Sequence, residues 1–181
     1  ALALDAKIDM VWVGARTVGL PFAVEELALA LQGSDIPVLI KNPLSPDVNL
    51  WAGAVERFLA KGIDKLAIVH RGFSWPYSNE LRNWPMWSAV AQMKLLFPTI
   101  TVIGDPSHIA GDSVLVPKIA MDALNFGCDG LMIEAHPNPA VALSDAKQQI
   151  PLSAMPELLK LLKKPELTQD HSVINYWRMH I

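Results

Sequence analysis

The chain has 181 residues, a formal net charge of −3 and a single cysteine, with 51% hydrophobic and 18% charged residues. The absence of a basic block argues against nucleic-acid binding driven by phosphate neutralisation, and no apolar run reaches the roughly 18–20 residues that span a bilayer. One cysteine, Cys128, permits no internal disulfide and suits a reducing cytoplasm. The opening ALALDAKIDM lacks the basic start and apolar middle of a signal peptide. It begins in mid-pattern without an initiator Met, so the natural start is expected elsewhere.

Short β-type runs alternate with stretches of helical spacing. The first strand is expected at Ile8–Gly14, followed by a helix near Phe22–Gln32 whose apolar set is Phe22, Val24, Leu27, Leu29 and Leu31. A second strand at Ile36–Lys41 precedes a helix at Val48–Ala60, and a third at Lys65–His70 precedes a helix at Trp84–Leu96. A fourth strand, Thr101–Gly104, leads to a helix near Ser113–Phe126. The fifth, Gly130–Glu134, leads to a helix within Leu152–Leu162. The rest, 166–181, is mixed and irregular, a docked arm or the start of a further segment.

Repeated βα alternation argues for a parallel sheet, because parallel neighbours need crossover connections. Gly33, Gly62 and Gly127 each close a helix shortly before the next strand, as αβ loops require. A doubly wound sheet usually carries a glycine-rich phosphate loop after its first strand, and none is present. Polar residues follow every strand instead, as on the upper face of a βα barrel. A whole barrel has eight units and five are visible, so part of a (β/α)8 TIM barrel is expected. Its open edges and apolar interior would need covering.

Arg16, Lys41 and Arg71 each follow an apolar strand, in VWVGAR, IPVLIK and LAIVHR. On parallel neighbours they converge on one rim and make an anion site, Arg as a planar fork and Lys as a point charge; individually each also reads as a solvated strand-end charge. A second constellation holds Asp105-Pro106-Ser107-His108, then Glu134-Ala135-His136, then Ser144-Asp145. One imidazole with two carboxylates suits a divalent metal with open positions. The alternatives are that His108 bonds a loop, Glu134 pairs with a cation and Asp145 caps a helix. Cys128 is expected to be buried at the foot of the barrel. His70 is expected as a ligand or facing the barrel interior, and His136 as orienting a loop or touching phosphate. The stretch Trp75–Trp87 reads as a lid or packing cluster.

The motifs GART (14–17), IKNP (40–43), HRGF (70–73), DPSHIAG (105–111), GLMIEAHPNP (130–139) and SDAKQQ (144–149) resemble, in this order, those of 3-deoxy-D-arabino-heptulosonate 7-phosphate (DAHP) synthase. The closest match is to the branch often fused to a chorismate mutase domain, and it covers about Leu2–Leu162. The resemblance implies a metal-dependent (β/α)8 barrel condensing phosphoenolpyruvate with erythrose 4-phosphate, the first step of the shikimate pathway to aromatic amino acids. It implies that Arg16, Lys41 and Arg71 bind phosphoenolpyruvate. It further implies that His108, Glu134 and Asp145 hold a divalent metal ion, Mn²⁺ foremost, with Fe²⁺, Co²⁺ or Zn²⁺ as alternatives. The visible units would then be barrel strands 4–8, with residues 1–165 as the C-terminal part of the barrel. The family's metal-binding cysteine and Lys-Pro-Arg-Thr motif have no counterpart here, so no general acid is assigned and the chain alone is expected to be incomplete for catalysis. A cytoplasmic homo-oligomer is expected. The alternatives are a 3-deoxy-octulosonate 8-phosphate synthase, which uses arabinose 5-phosphate, and a non-catalytic partial-barrel module.

Overall fold

The computed structural model describes residues 2–77 and 80–163. The sequence reading of 166–181 lies outside the described residues. After a short helix α1 (Leu2–Asp5), the chain lays down β1 (Val11–Val13), β2 (Val38–Lys41), β3 (Leu66–His70), β4 (Thr101–Gly104) and β5 (Gly130–Leu131). These strands form one parallel sheet in chain order, β1-β2-β3-β4-β5. Unreversed order is the winding of a βα barrel, whereas a doubly wound sheet reverses at a switch point. Among the described residues the sheet is an arc of a barrel that does not close.

Helices α2 (Ala15–Val18) and α3 (Pro21–Leu31) link β1 to β2, and α4 (Val48–Ala60) links β2 to β3. Helix α5 (Ser88–Leu96) precedes β4, and α6 (Pro106–Ala110) with α7 (Val116–Asn125) follows it. Strands β6 (Ala135–His136) and β7 (Ile150–Pro151) pair in a separate two-stranded sheet, and α8 (Met155–Leu162) comes last. Among the described residues no helix is long and apolar enough to cross a membrane.

The core lies between the sheet and its helices. Val38 and Ile40 of β2 and Leu66 and Ile68 of β3 face Trp51 and Phe58 of α4. Helix α4 forms where Asp47 accepts a hydrogen bond from the Leu50 amide, a side-chain N-cap. It buries Val48, Trp51, Ala52, Val55 and Phe58, a stripe at helical spacing. The Trp51 indole N–H donates to the Ile40 carbonyl, 3.2 Å away, which satisfies its one polar atom. At the end of β4 only glycine fits, because a Cβ on Gly104 would stand 2.8 Å from the Ala123 Cβ of α7.

Several expectations change. The buried stripe of α3 is Val24, Ala28 and Leu31, while Phe22 is 88% exposed and Leu27 and Leu29 are exposed too. Only the residues one turn apart can reach the sheet. Helix α5 starts at Ser88 rather than Trp84, because the Trp84 backbone pairs antiparallel with Phe73 and Pro85 follows. Strand β5 ends at Leu131 and β1 covers only three residues. His70 does not face the barrel interior. It shares the helix side of β3 with Leu66 and Ile68 and is enclosed by Trp51, Phe73 and Trp87. Burial pushes its pKa down to about 4, against a backbone hydrogen bond to Pro85 that favours the charged form, so the ring is neutral near pH 7.

Cys128 is buried, as expected, and lies beside the β4–α7 contact. Burial, reinforced by the charge of Asp129, pushes its thiol up to about 12. The thiolate is the reactive form. A thiol-specific reagent at pH 8 is therefore expected to leave the folded protein unlabelled and to label Cys128 only after denaturant is added; rapid labelling of the native state would contradict this packing.

Candidate active site

Successive side chains of a strand point to opposite faces. Lys41 ends β2 opposite Val69 of β3, and both lie on the face away from the helices. Arg71, two residues after Val69, continues that face, and Asp105 follows β4 beside it. The Asp105 backbone N–H donates to the His70 carbonyl, 2.8 Å away, which holds the two strand ends level.

Asp105 is 1% exposed. Burial opposes its ionisation, but contact with the His108 ring and backbone and the charge of Lys41 outweigh that cost and lower its pKa. The Lys41 ammonium lies 3.3 Å from Asp105 Oδ2 and 5.6 Å from the centre of the Trp12 ring. The Asp105 side chain also accepts from the His108 amide, capping α6.

Arg71 is buried, and burial lowers its pKa. Asp105 and Asp145 act against that shift, while Arg82 and Arg16 add to it. A guanidinium stays charged through such a shift. Arg16, exposed on α2, is thus close enough for its charge to act on Arg71. Among the described residues no carboxylate lies within ion-pair distance of Arg71.

Two buried amides position Arg71. The Asn83 side-chain oxygen accepts from Arg71 Nη1 at 3.1 Å, and its nitrogen donates to the His108 carbonyl at 2.7 Å. Asn42 accepts from the Arg71 backbone N–H at 2.7 Å and donates to the Pro43 and Gly72 carbonyls. Neither asparagine was singled out from sequence, although IKNP contains one and the Trp-rich loop the other.

Beside Asp105 the fold gathers His108 of α6, Glu134 beyond β5 and Asp145, with ligand-type atoms all within 4.8 Å of one another. His108 Nδ1 lies 2.8 Å from Asp105 Oδ2 and 3.5 Å from Glu134 Oε1. Neither contact is aligned as a hydrogen bond, and this buried nitrogen has no hydrogen-bond partner among the described residues. An orphaned imidazole nitrogen beside two carboxylates fits a divalent cation. The Ser107 hydroxyl accepts from the Glu134 N–H at 3.0 Å and fixes that backbone.

The other readings of these residues change accordingly. Asp145 makes no side-chain cap. Its backbone is left-handed (φ 50°) and its carboxylate accepts from Arg82 Nη1 at 2.7 Å. Glu134 accepts from the side-chain amides of Gln148 and Gln149, at 3.0 and 3.3 Å. His136 accepts from the Asn138 N–H, so it orients a loop. Trp75, Tyr77 and Trp84 cluster ring against ring, while Trp87 stacks on Phe126.

Residues 3–170 match the DAHP synthetase I family. The chain is 29% identical over 157 residues to the phospho-2-dehydro-3-deoxyheptonate aldolase of Thermotoga maritima, covering 86% of this chain and 44% of that protein. It is 32% identical over 116 residues to a 2-dehydro-3-deoxyphosphooctonate aldolase of Nitratidesulfovibrio vulgaris, covering 60% of this chain and 42% of the relative. The chain thus spans less than half the length of these curated relatives. The structure superposes on a truncated form of 3-deoxy-D-arabino-heptulosonate 7-phosphate synthase from Thermotoga maritima with a TM-score of 0.77 and 26% identity, covering 88% of this chain and 59% of that one.

Removing Asn83 strips a hydrogen bond from Arg71 and another from the His108 carbonyl. Each buried polar group left unpaired costs about 1–3 kcal/mol. Asn83→Ala is expected to lower the urea midpoint accordingly, and an unchanged midpoint would mean the loop does not brace Arg71 in solution.

Proposed function

The chain belongs to the DAHP synthetase I family, and on that premise we propose that it carries the phosphoenolpyruvate and metal halves of a DAHP synthase active site. The reaction would join phosphoenolpyruvate to erythrose 4-phosphate, giving DAHP and phosphate. The observation that carries this reading is one continuous site. Lys41 pairs with Asp105, whose charge also acts on buried Arg71, and the same Asp105 oxygen meets His108, which gathers with Glu134 and Asp145 so that their ligand-type atoms lie within 4.8 Å of one another.

In this reading Arg16, Lys41 and Arg71 hold the phosphate and carboxylate of phosphoenolpyruvate. Arg71, positioned by Asn83 and Asn42, offers its guanidinium fork at little further entropic cost. Orientation of this kind turns the methylene carbon toward the aldehyde. The new carbon–carbon bond forms between them, water adds at the phosphate-bearing carbon, and phosphate departs. His108, Glu134 and Asp145 are the residues that would hold the cation, which when bound supplies Lewis-acid polarisation of an oxygen. Mn²⁺ is the proposed ion, with Fe²⁺, Co²⁺ and Zn²⁺ as alternatives suited to the same donors.

The same proposal assigns residues 1–165 to the later part of the barrel and 166–181 to a tail or a further segment. It carries with it a cytoplasmic homo-oligomer, in a branch whose members are often fused to a chorismate mutase domain. A second reading, condensation with arabinose 5-phosphate, is favoured by the match to the 2-dehydro-3-deoxyphosphooctonate aldolases. Product formation with each aldose in the protein that carries this chain decides between them.

Two measurements test the residue roles. His108→Ala is expected to abolish stoichiometric Mn²⁺ binding in a calorimetric titration; full retention would remove His108 from the ligand set. Arg71→Ala is expected to raise the KM for phosphoenolpyruvate by about 10- to 150-fold, the value of a charge-assisted hydrogen bond worth roughly 1.5–3 kcal/mol. The KM for the aldose should change far less, and equal effects on both substrates would refute a selective role.

A further inference from the structure

Arg82 has no part in the anion and metal sets described above, yet it is tied to the carboxylates of the metal group. Its Nη1 donates to Asp145 Oδ1 at 2.7 Å and to Gln148 Oε1 at 2.6 Å. The other end of the Gln148 amide donates to Glu134 Oε2 at 3.0 Å. Gln148 is almost fully buried and its orientation is set at both ends, since an amide oxygen must meet the guanidinium and an amide nitrogen the carboxylate. One unbroken chain, Asp145–Arg82–Gln148–Glu134, therefore holds two of the three candidate ligands.

The chain occupies one oxygen of each carboxylate. Among the described residues Asp145 Oδ2 and Glu134 Oε1 accept no hydrogen bond, and Glu134 Oε1 is the oxygen that approaches His108 Nδ1, at 3.5 Å. The base of Arg82 is fixed as well. Its backbone N–H donates to the Ala110 carbonyl at 3.2 Å, and its stem lies over Gly111, where a Cβ would stand 2.5 Å from the Arg82 Cβ. Gly111 has φ +69°, a conformation that glycine adopts freely.

We propose that Arg82 and Gln148 are positioning residues that hold Asp145 and Glu134 each to one free oxygen, and so select a small divalent transition-metal ion over Ca²⁺. Single-oxygen ligands suit ions of four to six coordination, whereas Ca²⁺ takes six to eight oxygens and gains from bidentate carboxylates. The inference rests on the metal site proposed above. Two effects oppose each other when Arg82 is removed. Its positive charge no longer repels the ion, but Asp145 in its left-handed turn and Gln148 both lose the partner that fixes them. Arg82 is 44% exposed, so solvent screens its charge, and positioning dominates.

The test is titration of the metal-depleted full chain with Mn²⁺ and with Ca²⁺, by calorimetry and Mn²⁺ electron paramagnetic resonance. Arg82→Met keeps the stem and removes the donors, and Arg82→Lys restores a charged donor. Arg82→Met is expected to weaken Mn²⁺ binding by about 10- to 100-fold, to weaken Ca²⁺ binding less, and to be partly rescued in Arg82→Lys. Circular dichroism and thermal unfolding confirm that each variant is folded. Unchanged or tighter Mn²⁺ binding in Arg82→Met, or equal losses for both ions, would overturn the proposal. His108→Ala separates this from failure of the site itself: if that variant binds Mn²⁺ like the parent, the site reading falls; if it loses Mn²⁺ while Arg82→Met does not, only the positioning role falls.

Discussion

A carboxylate buried as deeply as Asp105 keeps its charge only if its partners outweigh lost hydration. Lys41, the His108 amide and the His108 ring supply those partners, and each comes from a different demand of the fold. Lys41 projects from the end of β2. The amide is the open N-terminus of α6, which needs a cap. The ring belongs to the candidate metal group. Asp105 thus stands where the strand-end cations and the acidic cluster meet, and loss of its carboxylate would strand Lys41 and uncap α6 together.

Arg71 depends on the same economy of buried polar groups. It is a buried cation with neutral oxygens about it, from Asn83 and Gly72. Amide oxygens orient a guanidinium without cancelling its charge, so the charge stays available to an anion. Asn83 then passes the constraint on to the His108 carbonyl, and Arg82 next to it reaches Asp145. Two consecutive residues of the β3–α5 loop therefore join Arg71 to the candidate metal group.

The remaining surface bears the marks of an open arc. Trp12 on the edge strand β1 is 63% exposed, although the Lys41 ammonium lies over its ring. Met10 and Leu20 nearby are exposed as well. The chain spans under half the length of these curated relatives, and among the described residues the first strand of the arc pairs on one side only.

The sequence alone determined the winding. Apolar runs such as VLIK and LAIVH, separated by helical spacing and helix-ending glycines, admit little but parallel βα units. It also singled out six candidate residues at strand ends and in loops, because strand-end position is read from the run itself. Only the tertiary structure decided their relations. Which oxygen of Glu134 is free, which side of β3 holds His70, and whether Asp145 caps a helix or meets Arg82 are questions of register and of contacts between residues 14 to 63 apart in the chain. Asn42, Asn83, Arg82 and Gln148 escaped the sequence reading for the same reason: their roles are hydrogen bonds to partners distant in the chain, and spacing along a sequence carries no record of such bonds.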